Sequence, residues 1–270
     1  MKITSNIKSL STKLVVPVTI LLVWELFSRA GIVSSSLLPA PTRIIESLSD
    51  WIFGISGVAE ANSGQWIKDA GSSAMRVIVG YSLAVVSAVI IGIFIGWWKF
   101  AEKLIEPTIQ LLRPIPPVAW IPLAIIWFGI ADKPAIFLVF LASFFPILIN
   151  TIHGVKTVDK NLVRAGGMMG AKQWHTLLYV ILPAALPNIL AGMRIGVGSA
   201  WMLTVTAEMV AVNSGLGYVL WDSYYFLRYD LVIASMVSIG ILGFFTDFLI
   251  KKLMHIALPW QRGSSIESIQ

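Results

Sequence analysis

The chain of 270 residues contains no cysteine and few charged side chains. Without cysteine it can form neither disulfide bonds nor thiolate metal sites, and it has no thiol nucleophile. Only 13% of the residues are charged, against about 25% in typical soluble domains, and 57% are hydrophobic. Apolar runs of about 20 residues recur along the chain, and such runs are long enough to cross a bilayer. These features predict an all-α, polytopic membrane protein.

Sequence motifs of enzymes and of nucleic-acid-binding proteins are also missing. His153, His175 and His255 share no metal-ligand spacing, so we predict no metal site. The sequence has no GxxxxGK[ST] phosphate loop, no recognisable nucleophile motif and no basic tract with interleaved aromatics. We therefore expect no catalytic residues, no cofactor bound by this chain and no nucleic-acid partner. The net charge of +6 is better interpreted as a marker of cytoplasmic loops.

Hydropathy and the positions of proline predict six membrane spans in a single domain, residues 1–270. The N-terminus could also be a signal peptide, but Trp24 and Glu25 interrupt its apolar run, which favours a retained first span. Lysine and arginine are more frequent in the loops on the side of the N-terminus, which predicts that both termini are cytoplasmic. The predicted spans are approximately 14–27, 73–98, 106–128, 134–152, 187–212 and 231–250.

The third predicted span contains the sequence LRPIPPVAWIPLAIIWFG, residues 112–129. Each proline removes a backbone donor that lipid cannot replace, so this helix must be kinked or broken and packed against protein or a water-lined cavity. Two interpretations stay open: the kinks are structural, or the broken helix lines a translocation pathway. The candidate pathway residues of this span are Arg113, Pro116, Pro117 and Trp120. Arg113 either attracts an anion, pairs with an acid or extends to the headgroups, and ordinary packing is the alternative for Trp120.

Ionisable groups within other spans are further pathway candidates, because charge is costly in lipid. Glu208 lies deep in the fifth span and is either a pathway or gate residue or a member of a buried pair. Arg194, near the start of the same span, either attracts an anion, pairs with an acid or extends to the headgroups. Trp201 is a candidate beside the pathway helix, with ordinary packing as the alternative.

Between the fourth and fifth spans lies the glycine-rich stretch RAGGMMGAKQWHTLLYVILP, residues 164–183. We predict a short cytoplasmic helix over about 158–179, in which Gly166 and Gly170 share one face of small residues. Each glycine destabilises a helix by about 1 kcal/mol relative to alanine. A partner protein that packs against this face would offset this loss and explain the glycines. The alternative is an interfacial helix that packs on its own protein.

This stretch resembles the cytoplasmic signature of binding-protein-dependent ABC importer permeases, which reads Glu-Ala-Ala, three residues, Gly, nine residues, Ile-x-Leu-Pro. The glycine, the Leu-Pro pair and the spacing match, whereas Arg164, Gly166 and Val180 replace the usual Glu, Ala and Ile. The LRPIPP stretch, together with LLPAPTRI and RIGVGSAWMLTVTAEM, is similar to the sulfonate, taurine, nitrate and bicarbonate branch of this family.

The resemblance implies a type I importer fold with six helices per subunit and a coupling helix seated in a cytoplasmic ATPase subunit. The residues that it assigns to coupling are Arg164, Ala165, Gly166, Gly167, Gly170, Ala171 and Lys172, with Leu182 and Pro183 closing the signature.

The resemblance also implies the partners and the cargo of an inner-membrane importer. The partners would be two ATPase subunits that carry ATP and Mg²⁺, a second copy of the permease in a homodimer, and an extracytoplasmic substrate-binding protein. The cargo would be a small anion, with alkanesulfonate or taurine favoured over nitrate, cyanate and bicarbonate. The competing hypotheses are an ATP-independent secondary transporter or channel and an intramembrane enzyme.

Overall fold

The computed structural model describes residues 2–31, 34, 37–55 and 62–259, with the backbone alone for 2–14. The regular structure of these residues is helical throughout, in agreement with the predicted fold class. The helices are α1 (Lys2–Arg29), α2 (Pro41–Phe53), α3 (Trp66–Trp97), α4 (Lys99–Leu112), α5 (Ile121–Phe128), α6 (Asp132–Lys156), α7 (Lys160–Met168), α8 (Gln173–Thr176), α9 (Leu182–Ala211), α10 (Leu216–Tyr225) and α11 (Tyr229–Ala257). A 3₁₀ turn (Pro117–Trp120) precedes α5, and a π turn (Leu177–Ile181) joins α8 to α9.

Four helices of the described chain are long and apolar enough to cross a membrane. They are α3, α6, α11 and the continuous helix Gln173–Ala211, which contains α8 and α9. A fifth candidate is the pair formed by α4 and Pro117–Phe128, whose halves are bent by 84°. These five correspond to the predicted spans 73–98, 106–128, 134–152, 187–212 and 231–250. The remaining predicted span, 14–27, lies within α1.

Helix α3 begins seven residues earlier than predicted, because the polar stretch before residue 73 is helical rather than a loop. Asp69, in the first turn of α3, is buried and accepts a hydrogen bond from the indole Nε1 of Trp51 on α2 at 3.1 Å. A buried polar group that finds such a partner is tolerated inside a packed helix. The polarity of this stretch therefore reflects a contact between α2 and α3.

Helices α3, α6 and α9 form the centre of the bundle, and glycine brings their backbones close together. A Cβ atom built on Gly92 of α3 would lie 2.7 Å from the Cβ of Thr151 on α6. On α9, a Cβ built on Gly192 would lie 2.6 Å from the Cβ of Asn150, also on α6. Small residues allow such close packing between membrane helices, which lack a hydrophobic driving force toward one another.

Replacing Gly192 with alanine is expected to destabilise the folded protein by about 1–3 kcal/mol, because the added methyl group has no space beside Asn150. Gly198→Ala on the same helix is the matched control, since no atom lies within 4 Å of the Cβ position there. Unfolding titrations in detergent micelles would compare the two variants. Equal stability of both would show that the contact between α6 and α9 relaxes without cost.

Candidate functional site

A cavity of about 550 Å³ lies beside the break between α4 and the Pro117–Trp120 turn. The middle of α6 and one face of α9 complete its walls. Arg113, Asn150 and Ser199 are the lining side chains with polar groups. The apolar lining residues are Ile115, Pro116, Pro117, Val118, Leu141, Ala142, Phe145, Pro146, Ile149, Ile195, Met202 and Leu203.

The prolines of the third predicted span create this break. Pro116 has an extended backbone (φ −61°, ψ 136°), and Pro117 begins the 3₁₀ turn. A proline disfavours the α conformation of the residue before it, so Pro117 holds Pro116 extended. The chain, whose helix α4 has already ended at Leu112, restarts here in a new direction. Three of the four pathway candidates of this span, Arg113, Pro116 and Pro117, therefore line the cavity.

The structure places Trp120 and Trp201 away from the cavity lining. The ring of Trp120 lies 6.5 Å from that of Trp127, and it packs against the apolar cluster around α5. Trp201 is buried, and its indole Nε1 donates a hydrogen bond of 2.8 Å to Thr246 Oγ1 on α11. For both side chains the arrangement corresponds to the packing alternative.

Arg194 is bound to a carboxylate instead of facing the cavity. Its Nε and Nη2 donate hydrogen bonds of 2.7 and 2.9 Å to the two carboxylate oxygens of Asp247 on α11. This two-point geometry is the strongest that arginine forms with a carboxylate. Arg194 therefore joins α9 to α11, as the acid-pair alternative predicted.

Glu208 is fully buried in a group of polar residues that we call the Arg76 cluster: Ser73, Arg76, Asp132, Glu208 and Ser214. Arg76 Nη1 lies 2.7 Å from Glu208 Oε1, and the Ser73 hydroxyl donates to Oε2 at 2.9 Å. The Gly217 N–H donates a further hydrogen bond of 2.8 Å to Oε2. Glu208 is thus a member of a buried pair, and its assignment as a pathway or gate residue is not supported by its position.

The Arg76 cluster connects three helices and a loop. Arg76 of α3 contacts Asp132 at the start of α6, Glu208 of α9, and both the carbonyl and the hydroxyl of Ser214 before α10. The adjacent Gly215 has φ +110°, and a Cβ there would lie 2.5 Å from Glu208 Oε1. Only glycine combines this backbone with such a close approach. Arg76 was not among the candidate residues predicted from the sequence, and its charge within the second predicted span was the signal that could have found this cluster.

The predicted helix over 158–179 is wrong as a single element. Helix α7 ends at Met168, and Gly170 has φ +81°. The N–H groups of Gly170 and Ala171 donate to the carbonyls of Gly167 and Gly166, both at 3.0 Å. This is the Schellman arrangement, in which a left-handed glycine stops a helix. Gly170 therefore terminates α7 and does not share a helical face with Gly166.

The segment from α7 to α8 projects exposed side chains at its turn. Met168 and Met169 are 90% and 87% exposed. At the other end of the segment, the Trp174 ring lies edge-on to Trp98 at 6.2 Å, beside the junction of α3 and α4. Of the residues assigned to coupling by resemblance, Gly166, Leu182 and Pro183 are half-buried, whereas the following are exposed: Arg164, Ala165, Gly167, Gly170, Ala171 and Lys172.

Long apolar helices, a cavity beside a broken helix and an exposed helical turn together define a polytopic membrane transport protein. The family model described as "Binding-protein-dependent transport system inner membrane component" matches residues 88–255, more than half of the chain. The chain belongs to this family, and it is a transport subunit embedded in the membrane.

Named relatives cover nearly the whole chain. A putative ABC transporter permease protein of Methanocaldococcus jannaschii is 39% identical over 95% of this chain and 94% of its own length. The taurine transport system permease protein of Escherichia coli K12 is 35% identical, covering 89% of this chain and 86% of that protein. The nitrate import permease protein of a Synechocystis strain is 32% identical, covering 89% and 86%.

A solved structure supports the fold. The MetNI methionine ABC transporter in an inward-facing conformation matches 69% of this chain and 94% of its own, with a TM-score of 0.57 and 16% sequence identity. At this level of identity the similarity concerns the fold alone. It agrees with the predicted permease architecture.

Proposed function

We propose that the chain is the permease of an ATP-driven importer that carries an alkanesulfonate or taurine into the cytoplasm. The observation that supports this proposal most directly is the exposed turn between α7 and α8, at the position of the permease signature. A second observation favours a small anion as cargo: among the described residues, the cavity lining contains one arginine and no carboxylate. Nitrate, cyanate and bicarbonate are the alternative cargoes.

The proposed assembly contains two cytoplasmic ATPase subunits, two copies of this chain and an extracytoplasmic substrate-binding protein. ATP and Mg²⁺ would be held by the ATPase subunits, since this chain has no phosphate loop. Membership of a binding-protein-dependent family supports both kinds of partner. In the proposed orientation both termini and the turn between α7 and α8 face the cytoplasm, and the Arg76 cluster lies near the outer surface of the inner membrane.

Movement of the turn would reach the cavity along two routes. The first is the continuous helix Gln173–Ala211, in which Ser199 and Met202 line the cavity. The second begins at Lys156, at the end of α6, whose Nζ contacts Glu102 and Glu106 on α4 at 2.9 and 3.2 Å. Helix α4 in turn ends beside Arg113. If the ATPase subunits displace the turn, the two walls of the cavity formed by α9 and by the end of α4 would therefore move together.

Uptake into liposomes tests the proposed function. We expect the complex of this chain with its ATPase subunits and binding protein to accumulate labelled taurine or ethanesulfonate only when ATP is enclosed on the ATPase side. Empty liposomes and a non-hydrolysable ATP analogue are the controls. Uptake by the purified chain alone, without ATP, would instead establish the channel or secondary-transporter alternative. Selective uptake of nitrate or bicarbonate would reassign the cargo.

A further inference from the structure

We propose that the cavity beside the helix break is a transient substrate site, in which Arg113 binds the sulfonate group and the apolar walls accept the alkyl chain. This inference rests on the proposed function and assigns to the permease a selectivity of its own. The cargo class is a monovalent organic anion with a charged head and a short apolar tail. Of the two favoured cargoes this selects alkanesulfonates, because the ammonium group of zwitterionic taurine would meet no carboxylate among the described lining residues.

Within the part of the chain that the structure describes, Arg113 has no carboxylate partner, unlike Arg76 on α3 and Arg194 on α9. Arg76 is bound to Glu208 and Asp132, and Arg194 is bound to Asp247. Among the described residues no carboxylate lies within ion-pair distance of Arg113, whose side chain is exposed at the cavity. Arginine stays protonated in proteins and carries five N–H donors. This guanidinium is therefore available for an incoming anion.

The other two polar side chains of the cavity, Ser199 and Asn150, have little donor capacity left. The Ser199 hydroxyl donates to the Ile195 carbonyl at 3.3 Å, and Asn150 Nδ2 donates to the Pro146 carbonyl at 2.8 Å. One amide hydrogen of Asn150 remains as a second donor. Arg113 consequently supplies most of the donors that could replace the hydration shell of an anion.

The apolar walls discriminate between the candidate anions. Arg113 and Asn150 are the side chains that still offer a donor to a polar cargo. The walls around them are apolar and include Phe145, Met202, Leu203 and the proline pair at the break. Nitrate and bicarbonate are polar on all sides, so burying them here would leave oxygens without partners, which is costly. An alkanesulfonate places its oxygens on Arg113 and its methylene groups against the walls, where each buried CH₂ is favourable. A cavity of about 550 Å³ also lies in the size range of small-molecule sites.

The test measures ATP-driven uptake of methane-, ethane- and butanesulfonate by liposomes that hold the complete complex with saturating binding protein. We expect Arg113→Gln to lower uptake of all three about tenfold, because one charge-assisted interaction is lost. Arg113→Lys should retain part of the activity, since it keeps the charge and loses the planar fork. Met202→Gln should lower butanesulfonate uptake more than methanesulfonate uptake.

Two controls separate a binding role from a structural one. Arg43→Gln, which removes an exposed arginine on α2 outside the cavity, should transport at the wild-type rate. ATPase stimulation by the docked binding protein should be unchanged in Arg113→Gln, because the side-chain contacts of the coupling route along α4 are those of Lys156 with Glu102 and Glu106, and the Arg113 side chain makes none of them. Impaired stimulation in that variant would instead assign Arg113 a structural role and overturn the proposal.

The outcomes also distinguish the two proposals. If wild-type complex imports sulfonates with ATP and Arg113→Gln does so at the same rate for all three chain lengths, the cavity site is wrong and the importer function stands. If the wild-type complex imports no sulfonate, the proposed function fails, and the substrate class assigned to the cavity fails with it.

Discussion

Replacing Arg76 with methionine is expected to lower the free energy of unfolding by about 3–5 kcal/mol. The reason is the environment of Glu208, whose side chain is fully buried and 2.7 Å from the guanidinium. Without Arg76, the carboxylate keeps hydrogen bonds from Ser73 and Gly217 but loses its counter-ion. A buried charge without its counter-ion is among the most destabilising changes in a protein. Unfolding titrations with a denaturing detergent would measure the loss.

The double variant Arg76→Met/Glu208→Leu should recover much of this stability. Replacing both members of a buried ion pair with apolar side chains is often neutral, since two desolvation penalties disappear with the attraction. Asp132→Asn is the matched control: this partner of Arg76 is 68% exposed, so its loss should cost at most about 1 kcal/mol. If the double variant is no more stable than Arg76→Met, destabilisation arises from lost packing around α3 rather than from the orphaned carboxylate.

The double substitution Met168→Asp/Met169→Asp is expected to weaken binding of the ATPase subunits by about 30-fold or more and to abolish ATP-driven uptake. In the proposed assembly these two methionines contact the ATPase subunits, and the loss of one interface hot spot costs about 2 kcal/mol or more, which corresponds to about 30-fold in affinity. Because both side chains are almost completely exposed in the isolated chain, fold stability should change by less than about 0.5 kcal/mol. Co-purification and liposome uptake would measure the effect.

The conservative pair Met168→Leu/Met169→Leu supplies the control for this experiment. It keeps an apolar surface of similar volume at the turn, so binding and uptake should stay close to the wild-type values. Normal ATPase binding by the aspartate variant would contradict the coupling assignment of this turn. The ATPase subunits would then have to contact this chain at another surface.

Much of the helical organisation could be predicted from the sequence, because it depends on local patterns. Long apolar runs mark α3, α6 and α11, and consecutive prolines cannot continue a helix in lipid, which is why the break near Arg113 was foreseeable. The Schellman turn was missed because glycines four residues apart fit one helical face as well as they fit a helix stop. The available signal for a stop was Gly170 followed by the polar pair Lys172 and Gln173, before apolar periodicity resumes at Trp174.

The pairing of intramembrane charges could not be predicted, because the partners are far apart in the sequence. Arg76 and Glu208 are separated by 132 residues, and Arg194 and Asp247 by 53. Each charge alone signals a functional or structural role, and hydropathy does not say which charges meet. The same limit applied to Trp201, whose packing against α11 depends on how α9 rotates about its own axis.

The helix Gln173–Ala211 has 39 residues, which at about 1.5 Å per residue makes a rod of about 58 Å. Gly192, where an added Cβ atom would lie 2.6 Å from the Cβ of Asn150 on α6, stands at its midpoint, with 19 residues on either side. If this helix pivoted about Gly192 by about 5°, its two ends would move about 2.5 Å in opposite directions. With the pivot at its midpoint, the helix would move away from α6 on one side of the membrane and toward α6 on the other side in a single motion.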